Sequence, residues 1–445
     1  MMKPITEGQL CAWSERYNDS PERRLATLAL AKAPLYDVAR VSPAAFAMRQ
    51  KFSVEIKTMS ATNQKSSGRC WLFAAANVLR ESIAKEKKIK EFELSQSHLA
   101  FWDKFERANY FFESILETAH LPANDRTVCH ILQTGVHDGG QWDMFANIVR
   151  KYGIVPKDAY DETHQSSNTS QMNYILNRNL KIGAAKLRRM VADGAGEDAI
   201  LGEKNAMLAK IYAFLCSCYS EPPKTFDFEY VDEDDTYHIE RGYTPLSFAE
   251  RYVGNLLEHI VSCIHAPTAD KPYHRTFTVR LLGNVVGGKD VCHLNLPMDE
   301  FKGAIISQLK AGKVVWFGSD VSHFGERKGG IWDDQCFDFE LLTGLDLDIS
   351  KEDALDYSFS AMNHAMVITG VNLDENGKPN RWKIENSWGD ENGEKGYYVC
   401  SDSWFDQYVY QAAIEKEYLG ENAKFAALDP IVLEPWDPMG TLAQG

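Results

Sequence analysis

A single cysteine set at the head of a helix is the feature of this sequence best suited to chemistry. In Gln64-Lys65-Ser66-Ser67-Gly68-Arg69-Cys70-Trp71-Leu72-Phe73-Ala74 a loop rich in small residues delivers Cys70 to an apolar run (Trp71, Leu72, Phe73, Ala76, Leu79, Ile83) that ends at Lys85-Glu86-Lys87-Lys88. The spacing predicts a helix with Cys70 in its first turn. Unpaired amides and the helix dipole favour an anion there, and the thiolate is the reactive form of cysteine. Gln64, six residues upstream, can return beside the sulfur with its side-chain amide as a donor. An isolated cysteine is more often packed as a small hydrophobe, so the reading depends on finding a base.

Histidine is the usual base for a thiol, and the chain has twelve. His364 begins an apolar strand that ends near Val371, and Asp374-Glu375-Asn376-Gly377-Lys378-Pro379 carries the hairpin dipeptide Asn-Gly. A hairpin centred there sets His364 opposite a window from 386 to 389, which contains Asn386. The Asn386 oxygen would accept from one ring nitrogen and leave the other for Cys70. Trp388 would roof the pair against water. Taken without the cysteine, the same residues read equally well as a strand histidine and a polar turn.

These residues need elements to carry them. The chain has 445 residues, 44% of them hydrophobic, enough for a large core divided into two or three packed units. Its net charge of −15 argues against a general nucleic-acid or anionic-membrane binder. The start lacks the apolar core of a signal peptide, and no apolar run reaches the roughly 18 residues needed to span a bilayer. The nine cysteines are odd in number and scattered, as reduced thiols are, so a cytoplasmic protein without a disulfide framework is expected. Cys129-His130, Cys263-x-His265 and Cys292-His293 lack the paired spacing of a zinc site; no metal or cofactor is expected.

In chain order, residues 1–50 read as an extension of helix and loop, with Glu22 to Leu30 helical. Residues 51–156 read as a helical lobe carrying Cys70, with a strand at Phe52 to Ile56, a helix from about Ser95 to Glu117 whose aromatics make core, and a helix from Met144 to Tyr152. Two glycines precede the last of these in His137-Asp138-Gly139-Gly140-Gln141-Trp142, where a second backbone can approach closely. Residues 157–295 read as an inserted, mostly helical lobe (about 169 to 190, 196 to 220 and 246 to 265), with Asp232-Glu233-Asp234-Asp235 as a solvated loop. Residues 296–429 open with a helix from Met298 to Lys310 and then read as a β-rich lobe carrying His364 and Asn386. Residues 430–445, with Pro430, Pro435, Pro438, Trp436 and Met439, read as a docked extended arm. Helices first and strands later make an α+β chain of two lobes.

With Gln64, Cys70, His364 and Asn386 in that order, the sequence resembles the papain-like cysteine peptidases, and within them the bleomycin hydrolase and bacterial aminopeptidase C branch. The likeness spans most of the chain: Thr62 to Lys65 with Gly68 to Trp71, Leu94 to Lys104, Asp138 to Trp142, Asn363 to Gly370, Glu385 to Gly389, and Pro435 to Gly440. The resemblance implies Cys70 as nucleophile, His364 as base and then acid, Asn386 as orienter and Gln64 as oxyanion donor. It implies substrate contacts at Gly139, Gly140, Ser67, Gly68, Trp388 and the terminal Gly445. It also implies peptide substrates, aminopeptidase action, and a homohexamer with the arm lying in each cleft. An endopeptidase with a displaced arm and a catalytically idle hexameric scaffold are the alternatives. Asn363 stands where the branch has threonine, and the tail runs a residue or two past the usual end.

Overall fold

The computed structural model describes residues 2–443; the role expected of Gly445 lies outside them. The run that starts at Cys70 folds as the helix Cys70–Lys87, and Lys88 closes it in left-handed backbone with φ of 54°. Cys70, Trp71, Leu72, Phe73, Ala76, Leu79 and Ile83 are all buried. A helix apolar on nearly every side belongs at the centre of a large core. Gln96–Glu117 packs beside it and starts at Ser95, whose hydroxyl accepts from the His98 amide. Two helices, Ser170–Ala192 and Glu197–Tyr219, pack on Gln96–Glu117. Their Leu176, Leu180 and Leu215 join the same apolar cluster as Cys70 and Trp71, so this segment shares one core with the cysteine helix.

The stretch expected as one helix from about 246 to 265 divides instead. Pro245–Tyr252 and Leu256–His259 are helical, and Ile260–Ile264 is a strand. The sequence there is Ile-Val-Ser-Cys-Ile, rich in β-branched residues, and it finds backbone partners on both sides, which outweighs a helical apolar pattern. Similarly, the acidic run 232–235 is the turn of a hairpin between Phe226–Val231 and Tyr237–Tyr243, where the Asp232 carboxylate accepts from the amides of Asp234 and Thr236.

Among the described residues one 12-stranded sheet dominates the second half. Its order is Ile431–Leu433, Arg275–Val279, His293–Asn295, Ile260–Ile264, Val409–Glu415, Val315–Ser319, His364–Leu373, Pro379–Glu385, Tyr397–Ser401, Ile331–Trp332 and Gly325–Glu326, with Val54–Glu55 added beside His364–Leu373. Strands from 260, 275 and 293 thus enter the sheet from within the span expected to be mostly helical. The central hairpin turns at Asp374, whose carboxylate caps the amides of Asn376 and Lys378, and it sets Val367 opposite Glu385. After Ile431–Leu433 the chain runs back across the molecule, and Ala443 pairs with Gly140. The first two helices, Glu7–Asn18 and Pro21–Leu30, contain no buried residue.

Candidate active site

Cys70 is the first residue of its helix, and the start of the strand His364–Leu373 lies against it. The amide of Ala365, next after His364, donates to Cys70 Sγ at 3.4 Å. His364 Nε2 donates to Asn386 Oδ1 at 2.9 Å, and the same oxygen accepts from the Ser387 amide at 2.8 Å, so the carboxamide is held with its oxygen toward the ring. Nδ1 has no hydrogen-bond partner among the described residues, which leaves one free ring nitrogen. Trp388 stacks on the imidazole with ring centroids 4.8 Å apart, and the Arg327 guanidinium lies over the Trp388 ring at 4.7 Å.

Gln64 is fixed at both ends. Its Oε1 accepts from Ser387 Oγ and its Nε2 donates to the Ser67 carbonyl, each at 2.6 Å, leaving one Nε2 hydrogen uncommitted. The Gln64 amide also donates to the Ser387 carbonyl, and Asn63 bridges Trp388, so the Gln64 loop and the Asn386 loop are one bonded unit. Gly389 must be glycine: its φ is +78°, and a Cβ there would meet the Asn63 amide at 2.4 Å. The Ser67 side chain turns inward, donating to the Gln64 carbonyl and accepting from Arg69 Nε.

Gly140 lies against the Trp71 indole, where a Cβ would approach to 2.5 Å. Its amide donates to the Ala443 carbonyl at 3.0 Å, and the Ala443 amide donates back at 3.2 Å. Gln141, fully buried, gives both Nε2 hydrogens to the arm, to the Met439 carbonyl at 3.0 Å and the Thr441 carbonyl at 2.7 Å. Met439 and Ala443 belong to the same packed cluster as Cys70. The arm is tied further back by Lys271 to Asp437 at 2.9 Å and by Arg126 over the Trp436 ring at 3.6 Å.

Cys70 and His364 are both wholly inaccessible to water. Burial pushes the Cys70 thiol up to about 12, although the amides of Ala365, Trp71 and Cys70 itself pull it down. Burial likewise takes His364 down to about 4, against the opposing bond to Asn386. Burial thus opposes the charge that the helix start favours on Cys70, with three amides acting against it.

Several residues that serve the site carry no local signal that names their partners in the sequence. Arg69 forms a two-pronged pair with Glu162 at 3.0 and 2.9 Å. Arg80 and Glu385 form a buried pair at 2.9 Å just before Asn386, and burial raises the Glu385 carboxyl to about 7. Asp138 and Lys104 form another, at 2.5 Å. Charged residues embedded in apolar helical runs are the signal that could have found Lys104 and Arg80, because a buried charge needs a partner.

A buried cysteine at a helix start, a histidine on a neighbouring strand and an asparagine that orients it, in an α+β chain, define the papain-like class of cysteine peptidases. The chain belongs to the Peptidase C1-like family, whose model matches residues 4–440. It is 52% identical over 88% of both chains to a protein named Aminopeptidase C from Lactobacillus delbrueckii subsp. lactis, and 45% identical over 100% of this chain and 99% of the relative to Aminopeptidase C from Lactobacillus helveticus. The crystal structure of pepw from Lactobacillus rhamnosis HN001 superposes with a TM-score of 0.97 at 47% identity, covering 100% of both chains.

Proposed function

We propose that this cysteine aminopeptidase removes residues from the free N-terminus of peptides, with Cys70 as nucleophile, His364 as base and acid, Asn386 as orienter and Gln64 as oxyanion donor. When substrate replaces the cover over the cleft, His364 Nδ1 takes the Cys70 proton and the thiolate attacks the scissile carbonyl carbon. The oxyanion is held by the uncommitted Nε2 hydrogen of Gln64 and the Cys70 amide, donors of a kind worth about 3 to 4 kcal/mol each. The imidazolium then protonates the leaving amine. His364 next takes a proton from water, which attacks the thioester and frees the acyl group as an acid. Asn386 keeps the ring turned so that Nδ1 faces these transfers.

The observation that carries the N-terminal specificity is the two-way pairing of Ala443 with Gly140, which uses both backbone groups of the glycine that an extended substrate would otherwise pair with. A chain arriving from that side meets the arm, whereas a free amine stops short of it and can meet the terminal carboxylate of Gly445 as a charge-assisted hydrogen bond. Gly139, Ser67, Gly68 and Trp388 enter the same reading as substrate contacts. The residue spans 1–50, 51–156, 157–295, 296–429 and 430–445 serve in it as extension, cysteine lobe, insertion, histidine lobe and arm.

The finer proposals are a homohexamer and a cytoplasmic setting. Exposed Leu10, Trp13, Leu25 and Leu28 on the first two helices support association, because such apolar faces gain from cover. Nine free cysteines support a reducing compartment. Cys70→Ser is expected to abolish peptide cleavage in a folded, assembled protein; turnover above a few per cent of wild type would remove Cys70 from the reading. Deleting residues 441–445 is expected to lower kcat/KM on free-amine aminoacyl substrates and raise cleavage of N-blocked peptides, with product lengths read by mass spectrometry. If the truncated enzyme demands a free amine as strictly as the full chain, the arm is not the determinant.

A further inference from the structure

The Asp138 carboxylate is a junction of three parts of the molecule. It accepts from the Gly68 amide at 2.9 Å, from Lys104 Nζ at 2.5 Å, from Asn173 Nδ2 at 2.8 Å and from Thr169 Oγ1. Gly68 lies two residues before Cys70, Lys104 is on the neighbouring helix, and Thr169 and Asn173 are at the start of the long inserted helix. Lys104 also donates to Asn173 Oδ1 at 2.7 Å, so the charge and its donors close on themselves. The main chain of the same turn is held as well: the Asp138 carbonyl accepts from Trp71 Nε1 at 2.6 Å, and the Gly139 carbonyl accepts from Arg107 at 2.5 Å.

From this geometry we infer that Asp138 is a positioning residue, which locks the loop before Cys70 to the Gly139-Gly140 turn and makes the inserted helix a part of the active site. Stability alone is a poor reason for such a group, since a buried ion pair is often matched or exceeded by apolar residues of the same volume. What an apolar residue cannot do is accept from the Gly68 amide and from Thr169 together. A disulfide could tie the two loops, but every cysteine is free. The tie is built instead from hydrogen bonds to one carboxylate. Burial opposes its charge, but Lys104 and the other donors hold it well below the usual carboxylate range.

This inference rests on Cys70 as nucleophile, and activity surviving in Cys70→Ser would sink that reading first. The test of the inference uses the full-length enzyme, free-amine aminoacyl substrates and melting temperatures. Asp138→Asn places a donor against donors and is expected to lower kcat by about ten- to a hundredfold with little change in KM, the cost of a misplaced reacting geometry. Thr169→Val removes one donor, keeps both charges and the side-chain shape, and is expected to lower kcat about threefold with little change in KM, in a protein that still folds with a melting temperature a few degrees lower at most. The double variant is expected to be no worse than Asp138→Asn, because both changes cut the same tie. Wild-type kcat in Thr169→Val, or losses that multiply in the double variant, would overturn the inference. Should Asp138→Asn fail to fold, Thr169→Val decides alone, since a merely structural role would lower the melting temperature and leave kcat in place.

Discussion

Water bears directly on the proton affinities of Cys70 and His364: burial raises the thiol and lowers the imidazole, so a dry cleft disfavours the thiolate and the imidazolium alike. Opening the cleft brings the two values toward each other, because desolvation is the first cause of each displacement. In the proposed mechanism, removing the imidazole ends proton transfer, whereas removing its orienter only lets the ring turn. His364→Ala is therefore expected to lose nearly all kcat/KM and Asn386→Ala to retain a measurable fraction, in a side-by-side titration with one aminoacyl substrate. Equal losses would make Asn386 a structural residue. Cys70, Gln64, His364 and Asn386 were readable as candidates because each sits in a local pattern, a helix start or a hairpin end, that fixes where its side chain goes. Asp138, Lys104 and Glu162 were not, since their partners lie 34 and 93 residues away in sequence and no periodicity relates them.

Elements decide how far the arm reaches. Gln141 caps no helix with its side chain; it spends both amide hydrogens on the carbonyls of Met439 and Thr441. Replacing it by leucine keeps the bulk and removes both bonds, so the arm loses its register over Gly140 without being cut. Gln141→Leu is expected to shift the ratio of N-blocked to free-amine cleavage in the same direction as deleting residues 441–445, by a smaller factor. An unchanged ratio would place the register in Lys271 and Asp437 instead. The helices from 70, 96, 170 and 197 were legible because each is a long run free of proline, 18 to 23 residues. The strands at 260, 275 and 293 were not: short β-branched runs acquire their identity only from the neighbours that pair with them.

For the whole molecule, acid is the weak side. His98 and His293 are held down to about 4, and His265 to about 3, all by burial, as His364 is. A histidine whose folded value is depressed leaves the unfolded chain to bind protons first, so its stability contribution is whole above about 6.5 and is lost as pH falls toward the folded value. A tenfold difference in proton affinity between the folded and unfolded chain is worth about 1.4 kcal/mol. Asp143 and Glu385, raised by burial to about 6 and about 7, act in the opposite sense and stabilise as pH falls. Six histidines lowered by burial, these four with His130 and His137, face five carboxyls raised by it, these two with Glu81, Asp333 and Asp406. The lowered carboxyls of Asp138 and Glu240 add to the loss, so the melting temperature is expected to fall between pH 6.5 and 4; a flat profile would mean that these histidines are hydrated. One further consequence follows from the arm's attachment at Arg126, Lys271 and the strand Ile431–Leu433. A segment rooted so near its own binding place acts as a tethered competitor with an effective local concentration of about millimolar. On the proposed reading of the arm as a plug, substrates contend with a ligand that never diffuses away, and a free peptide copying the last residues would have to reach that same concentration before it restored the plug to a truncated enzyme.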